Sequence, residues 1–185
     1  MSLFTSDRER RLWFWALAVV IAIYSTLGPA QVLAEALRER NLLRVSVAVV
    51  LLLAGATIAG RWAKGRPGRR EIGVALGVTA AYLMTLFRIL SPEERTHLIE
   101  YGVVAILIHQ ALTERLRHER RVPAPAALAV AVTALLGWLD EGIQALLPGR
   151  VYDIRDVGFN ALAGLLAIVA SLALARARRR DATGS

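Results

Sequence analysis

The sequence predicts an all-α fold: a polytopic membrane helix bundle with six transmembrane helices and both termini in the cytoplasm. Three observations carry this expectation. Of the 185 residues, 56% are hydrophobic, and the mean hydropathy is +0.47, far more apolar than a soluble domain of this length. The apolar residues gather into six runs separated by charged, Pro- and Gly-containing segments. The basic residues fall in alternate intervals, which a six-span count places on one side.

The runs are Leu12–Leu27, Arg44–Trp62, Ile72–Leu90, His97–Leu116, Pro125–Leu147 and Val157–Ala175. A span needs about 20 residues. The first run is short, follows RERR, and is predicted to continue past Pro29 as an uncleaved anchor, because Pro29 beside Ala30 makes a poor signal-peptidase site. After it, PAQVLAEALRERNLL places Val32, Leu33, Ala36, Leu37 and Leu43 at helical spacing, opposite Glu35, Arg38 and Glu39. That pattern suits a helix lying on the outer surface or an ordinary helical connector. RWAKGRPGRR, LSPEER and TERLRHERRVPAP separate the next spans, where Pro and Gly break helices and the charges hold the chain in water. The fifth run includes Asp140 and Glu141, so its outer turn is not a simple lipid-facing helix.

Arg8, Arg10 and Arg11 precede the first span. Arg61, Lys64, Arg66, Arg69 and Arg70 follow the second, Arg115, Arg117, Arg120 and Arg121 the fourth, and Arg176, Arg178, Arg179 and Arg180 the sixth. These segments hold most of the 23 basic residues, and the positive-inside rule assigns them to the cytoplasm. Trp13, Trp15 and Trp62 then fall at the inner interface and Trp138 and Tyr152 at the outer one, as in an aromatic belt.

The net charge of +8 and a pI near 11.1 do not indicate nucleic acid, because the arginines form short clusters between apolar runs without interleaved aromatics. Membrane lipids with anionic headgroups are the expected partners of that charge. With no cysteine, disulfides, thiolate catalysis and Cys-based zinc sites are excluded. No phosphate-cradling glycine loop or nucleophile elbow is present. Residues 1–185 read as a single domain. Small residues four apart (Gly73, Gly77 and Ala81; Gly55 and Ala59; Ala163, Ala167, Ser171 and Ala175) predict close helix approach within the chain, with a homodimer face as the alternative.

The polar cluster in WLDEGIQALLPGRVYDIRDVGFN is the candidate site, since ionisable groups at the rim of an apolar bundle are costly unless they face each other, water or a ligand. Glu141 lies eighteen residues beyond Pro123, about 27 Å along a helix, His97 is the same distance from Arg115, and Asn160 is about 24 Å from Arg176. All three reach one outer boundary of a hydrocarbon core about 30 Å thick. His97 and Glu100 share a helical face, as do Glu141 and Gln144, and Asp156 and Asn160. Pro148-Gly149 predicts a turn that returns Arg150 over the bundle mouth, and Arg88 adds a second positive charge.

THLIEYGVVAIL resembles the His-x-x-Glu-Tyr element of the VanZ-like family, and LDEGIQALLPGRVYDIRDVGFNALAG resembles its second block, Asp-Glu-x-x-Gln, Pro-Gly-Arg and Asp-Val-x-x-Asn-x-x-Gly. IYSTLGP is similar to a weaker element, and the resemblance covers mainly residues 97–164. It implies a bacterial multi-pass protein of the cytoplasmic (inner) membrane, linked to low-level resistance to the glycopeptide teicoplanin. By motif it singles out His97, Glu100, Tyr101, Asp140, Glu141, Gln144, Arg150, Asp156 and Asn160; Asp153 and Arg155 lie outside the pattern.

The residues admit more than one chemistry. His97, Glu100, Glu141 and Asp156 are the candidate catalytic groups: His97 titrates near neutral pH, and Glu100 and Glu141 can share a proton, bind a divalent cation or pair with Arg88 or Arg150. Asp156 equally suits a helix N-terminus. Arg88, Tyr101, Asp140, Gln144, Arg150 and Asn160 are the candidate ligand-binding groups, with the Arg150 fork suited to phosphate or carboxylate. No metal ligands are assigned. The Glu-x-x-His of di-iron bundles occurs once and reversed, leaving a divalent metal cofactor open. His109 and Gln110 suggest interhelical hydrogen bonds. The expected function is an outward-facing polar pocket for an amphiphilic lipid, a lipid-linked wall precursor or a lipoglycopeptide. The alternatives are a membrane-embedded hydrolase or transferase using His97 and Glu141, and a small transporter.

Overall fold

The computed structural model describes residues 3–26, 68–88, 92–118, 121–147 and 151–183. These form five helices and, among the described residues, no strand: α1 Asp7–Thr26, α2 Arg69–Arg88, α3 Pro92–Arg117, α4 Pro125–Gln144 and α5 Ile154–Thr183. The all-α expectation is met. The run Arg44–Trp62 and the connector Pro29–Leu43 lie outside the described residues. Among the described residues two helices, α4 and α5, are long and apolar enough to cross a membrane.

α3 sits centrally, against α1, α4 and α5, and α5 also contacts α4 and α2. The main core joins Ala16 and Ile23 of α1, Val104, Ala105, Ile108 and Leu112 of α3, Ala129 of α4 and Ile168 of α5. A second cluster, Leu98, Tyr101 and Ala163, continues it toward one end. The helix directions follow from these pairings. Glu9 meets Arg115 at one end of the bundle, and Tyr24 meets Leu136 toward the other.

Small residues set the closest packing. Gly137 of α4 lies against Asn160 of α5, where an added Cβ would come within 2.5 Å of the Asn160 Cβ. Gly164 of α5 lies against Thr133 of α4, with 3.1 Å to its methyl group. Each helix thus offers a glycine to the other's polar side chain, four residues from its own. The expected stripe of α5 is buried at Ala163 and Ala167 but exposed at Ala175. For α2, among the described residues nothing approaches within 4 Å of a Cβ at Gly73 or Gly77. Where the first turn of α2 meets α5 the contact is polar: Arg178 Nε donates to Glu71 and Asp181 accepts the Glu71 N–H.

α4 begins at Pro125, whose missing N–H suits a first helical turn. Ala124 before it is left-handed, at φ 40°. α4 ends at Gln144, three residues short of the predicted Leu147. α5 begins at Ile154, three residues earlier than predicted, because Asp153 caps it: its Oδ1 accepts the Arg155 N–H at 2.8 Å. Capping therefore falls to Asp153, with Asp156 in the first turn.

The exterior is apolar. Phe14, Trp15, Leu17 and Ile21 of α1, Leu76 of α2, Leu135 and Trp138 of α4 and Val169 of α5 are all exposed. The interior of α4 is small or polar throughout: Ala129, Thr133, Gly137, Asp140, Glu141 and Gln144.

At the end opposite the site, ion pairs join the helices. Glu9 is fully buried and accepts hydrogen bonds from the Thr5 N–H and hydroxyl, Arg115 Nε and Trp13 Nε1. Arg8 and Arg117 flank Glu114. The arginines expected to face lipid headgroups are thus partly committed to protein carboxylates, and Trp13 is tied to Glu9.

Candidate functional site

The polar residues of three helices meet at the end of the bundle away from these pairs. α3 contributes His97 and Tyr101, with Glu100 beside them; α4 contributes Asp140, Glu141 and Gln144; α5 contributes Asn160. Their placement follows from helical spacing. Asp140, Glu141 and Gln144 occupy one face of α4, the face that Gly137 and Thr133 continue toward the core.

Burial is deep. Tyr101, Asp140 and Asn160 are fully inaccessible, Glu141 and Gln144 nearly so. His97 Nε2 lies 3.9 Å from Asp140 Oδ2. The His97 ring stands edge-on to Tyr101, with centroids 5.9 Å apart, and the buried Tyr101 side chain is within electrostatic reach of the Asp140 carboxylate. Gln144 Nε2 bridges both acids, donating to Asp140 Oδ2 at 3.3 Å and Glu141 Oε1 at 3.2 Å. The Asp153 N–H points to Glu141 Oε2 at 3.4 Å. Glu100 is within electrostatic reach of His97 and Asp140, and Asp156 of Glu141. Asn160 has neither amide atom hydrogen-bonded.

Most residues singled out by sequence are therefore brought together. Arg150 lies outside the described residues, and so does the Pro148-Gly149 turn. Arg88 ends α2, but its side chain is not among the described ones. Beside the expected pairing of His97 with Glu141 the structure adds Asp140, which contacts His97 with Glu141 in the same cluster. Gln110 lies on an exposed face, so the interhelical hydrogen bond expected of it does not form among the described residues.

Three contributors were not singled out. Tyr24 of α1 donates to the Leu136 carbonyl at 2.7 Å and lies within electrostatic reach of Asp140. Its signal was its place in IYSTLGP. Asp153 closes the cluster through its backbone N–H, which no side-chain pattern announces. Gly137 makes room for Asn160, and its signal was its spacing of three residues from Asp140.

An imidazole beside two adjacent carboxylates can pass protons, hold a cation or bind a polar headgroup through its hydrogen-bonding edges. Comparison of the chain with protein-family models, curated proteins and solved structures finds no match in any of the three.

Proposed function

We propose that this chain is a bacterial inner-membrane protein with six transmembrane helices whose buried polar site, at the outer end, binds the headgroup of an amphiphile. One observation supports this most: α4 is inverted relative to a soluble core helix, with polar and small residues inside and Leu135, Trp138, Leu139 and Ile143 outside. Large apolar side chains on the exterior suit lipid, and buried ionisable groups suit a functional interior. Six spans require one crossing between Thr26, at the site end, and Gly68, at the basic end. The positive-inside rule then assigns the end with Arg115 and Arg178 to the cytoplasm.

The amphiphile is a phospholipid, a lipid-linked wall precursor or a lipoglycopeptide. Its tail rests on the apolar flank and its polar head meets the His97–Asp140–Glu141 cluster, while the Pro-Gly-Arg motif offers Arg150 as the partner of an anionic group. The VanZ-like motifs favour the cell-envelope setting and a link to teicoplanin tolerance. A second reading, a hydrolase or transferase, is favoured by the His97–Asp140 contact, because a buried carboxylate beside an imidazole orients it for general acid–base work.

The test is to purify the protein in native lipid discs and identify the amphiphiles retained by mass spectrometry. Wild type should hold one enriched anionic species, and Arg150→Ala should lose it. Identical lipid content in both would remove headgroup capture by Arg150. Glu141→Gln separates the two readings: an enzyme keeps the ligand and loses turnover, whereas a binding protein shows no turnover to lose.

A further inference from the structure

We propose that His97, Asp140 and Glu141 form a binding site for a divalent transition-metal ion of the zinc or manganese class. The inference concerns the same cluster as the amphiphile reading, and it rests on that cluster's geometry and not on the lipid. One potential ligand atom from each of the three residues lies within 4.8 Å of the other two. Zinc bonds to imidazole nitrogen and carboxylate oxygen are about 2.0–2.2 Å, which sets tetrahedral donors about 3.4 Å apart. The His97 Nε2–Asp140 Oδ2 separation of 3.9 Å is already close to that spacing, and small side-chain rotations close the rest.

Donor chemistry selects the ion. An imidazole nitrogen suits zinc or manganese better than magnesium or calcium, which take oxygen shells. Two carboxylates carry the charge that one divalent cation neutralises, and the fully buried position makes that neutralisation valuable. The surrounding hydrogen bonds fit carboxylate ligands held from outside. Gln144 donates to both acids, and the Asp153 N–H holds the second Glu141 oxygen.

An independent observation points the same way. Asn160 is fully buried, and both of its amide atoms lack a hydrogen-bond partner. It packs on Gly137, one turn along the α4 face that carries Asp140 and Glu141. Buried amides left unpaired are costly. A three-residue metal site keeps an open position for water, and such a water gives Asn160 a partner.

The test uses the full chain in lipid discs of phosphatidylethanolamine and phosphatidylglycerol, stripped with a chelator and titrated with Mn²⁺, Zn²⁺ or Mg²⁺. Wild type should bind one Mn²⁺ per chain, and pulsed electron paramagnetic resonance should show coupling to one imidazole nitrogen. Zn²⁺ should displace it, and equal Mg²⁺ should not. His97→Gln and Glu141→Gln should each weaken Mn²⁺ binding at least about 10-fold, with His118→Gln unchanged. Absent stoichiometric binding, an oxygen-only signal, or affinity unaffected by Glu141→Gln would overturn the site. The wild-type spectrum decides even if a variant fails to fold. Retained lipids are assayed in the same samples: metal without an enriched amphiphile supports this site and removes only the amphiphile reading, and the reverse outcome removes only the metal.

Discussion

Glu9 lies outside the apolar run of its helix, yet no part of it reaches solvent. Burial alone would raise its pKa. Hydrogen bonds from the Thr5 hydroxyl and N–H and from Arg115, with the charge of the latter, outweigh burial and hold the carboxyl below its ordinary 4.5. A depressed carboxylate stabilises the fold above its unfolded pKa, and that contribution is lost as pH falls through the folded value. Thermal melts of the purified protein should therefore fall steeply as pH drops below about 4.5, and Glu9→Gln should flatten that fall. At neutral pH the same variant should lose about 1–3 kcal/mol, at the lower end because Arg115 is one-third exposed. None of this was legible in the sequence, where Glu9 sits among arginines and reads as a solvated charge. The partner that gives it meaning is 106 residues away.

Among the elements, α4 carries the most information. Its existence was legible as an apolar run, but averaging over the run conceals which face turns inward. Spacing recovers that face only in part: Glu141 and Gln144 were grouped correctly, whereas Asp140, Gly137 and Thr133 were not placed on it. The same limit governs the small-residue stripes. Gly73–Gly77 and Gly137 are alike on paper, but among the described residues a neighbouring helix lies against Gly137 and none within 4 Å of a Cβ at Gly73 or Gly77. Gly137→Ala should consequently drive α4 and α5 apart. Its methyl would meet the Asn160 Cβ at 2.5 Å, and overpacking of this kind costs about 1–3 kcal/mol. Gly77→Ala, with no described residue within 4 Å of its Cβ, should not lower the melting temperature, because Ala is the better helix former. Comparing the two melts checks the assignment of the packed face.

For the whole molecule, depth arithmetic placed His97, Glu141 and Asn160 within about a turn of one level, and the structure gathers them there. Helical rise is nearly invariant, so that part of the site was legible. The ion pairs Glu9–Arg115 and Glu71–Arg178 were not, because charge sorting tells which side a residue is on and not what it touches. The chain contains no cysteine, so single thiols report topology cleanly. With a membrane-impermeant maleimide on intact cells, Val151→Cys should label directly, and Arg121→Cys only after permeabilisation. Equal labelling, or the reverse order, would reject the proposed orientation. The Glu9–Arg115 pair also bears on biogenesis. Translation at roughly 5–20 residues per second delivers the arginine about 5–20 s after the glutamate. Through that interval only donors local to the first helix, Thr5 and Trp13, hold the Glu9 carboxylate, and the link across the bundle closes once α3 is made.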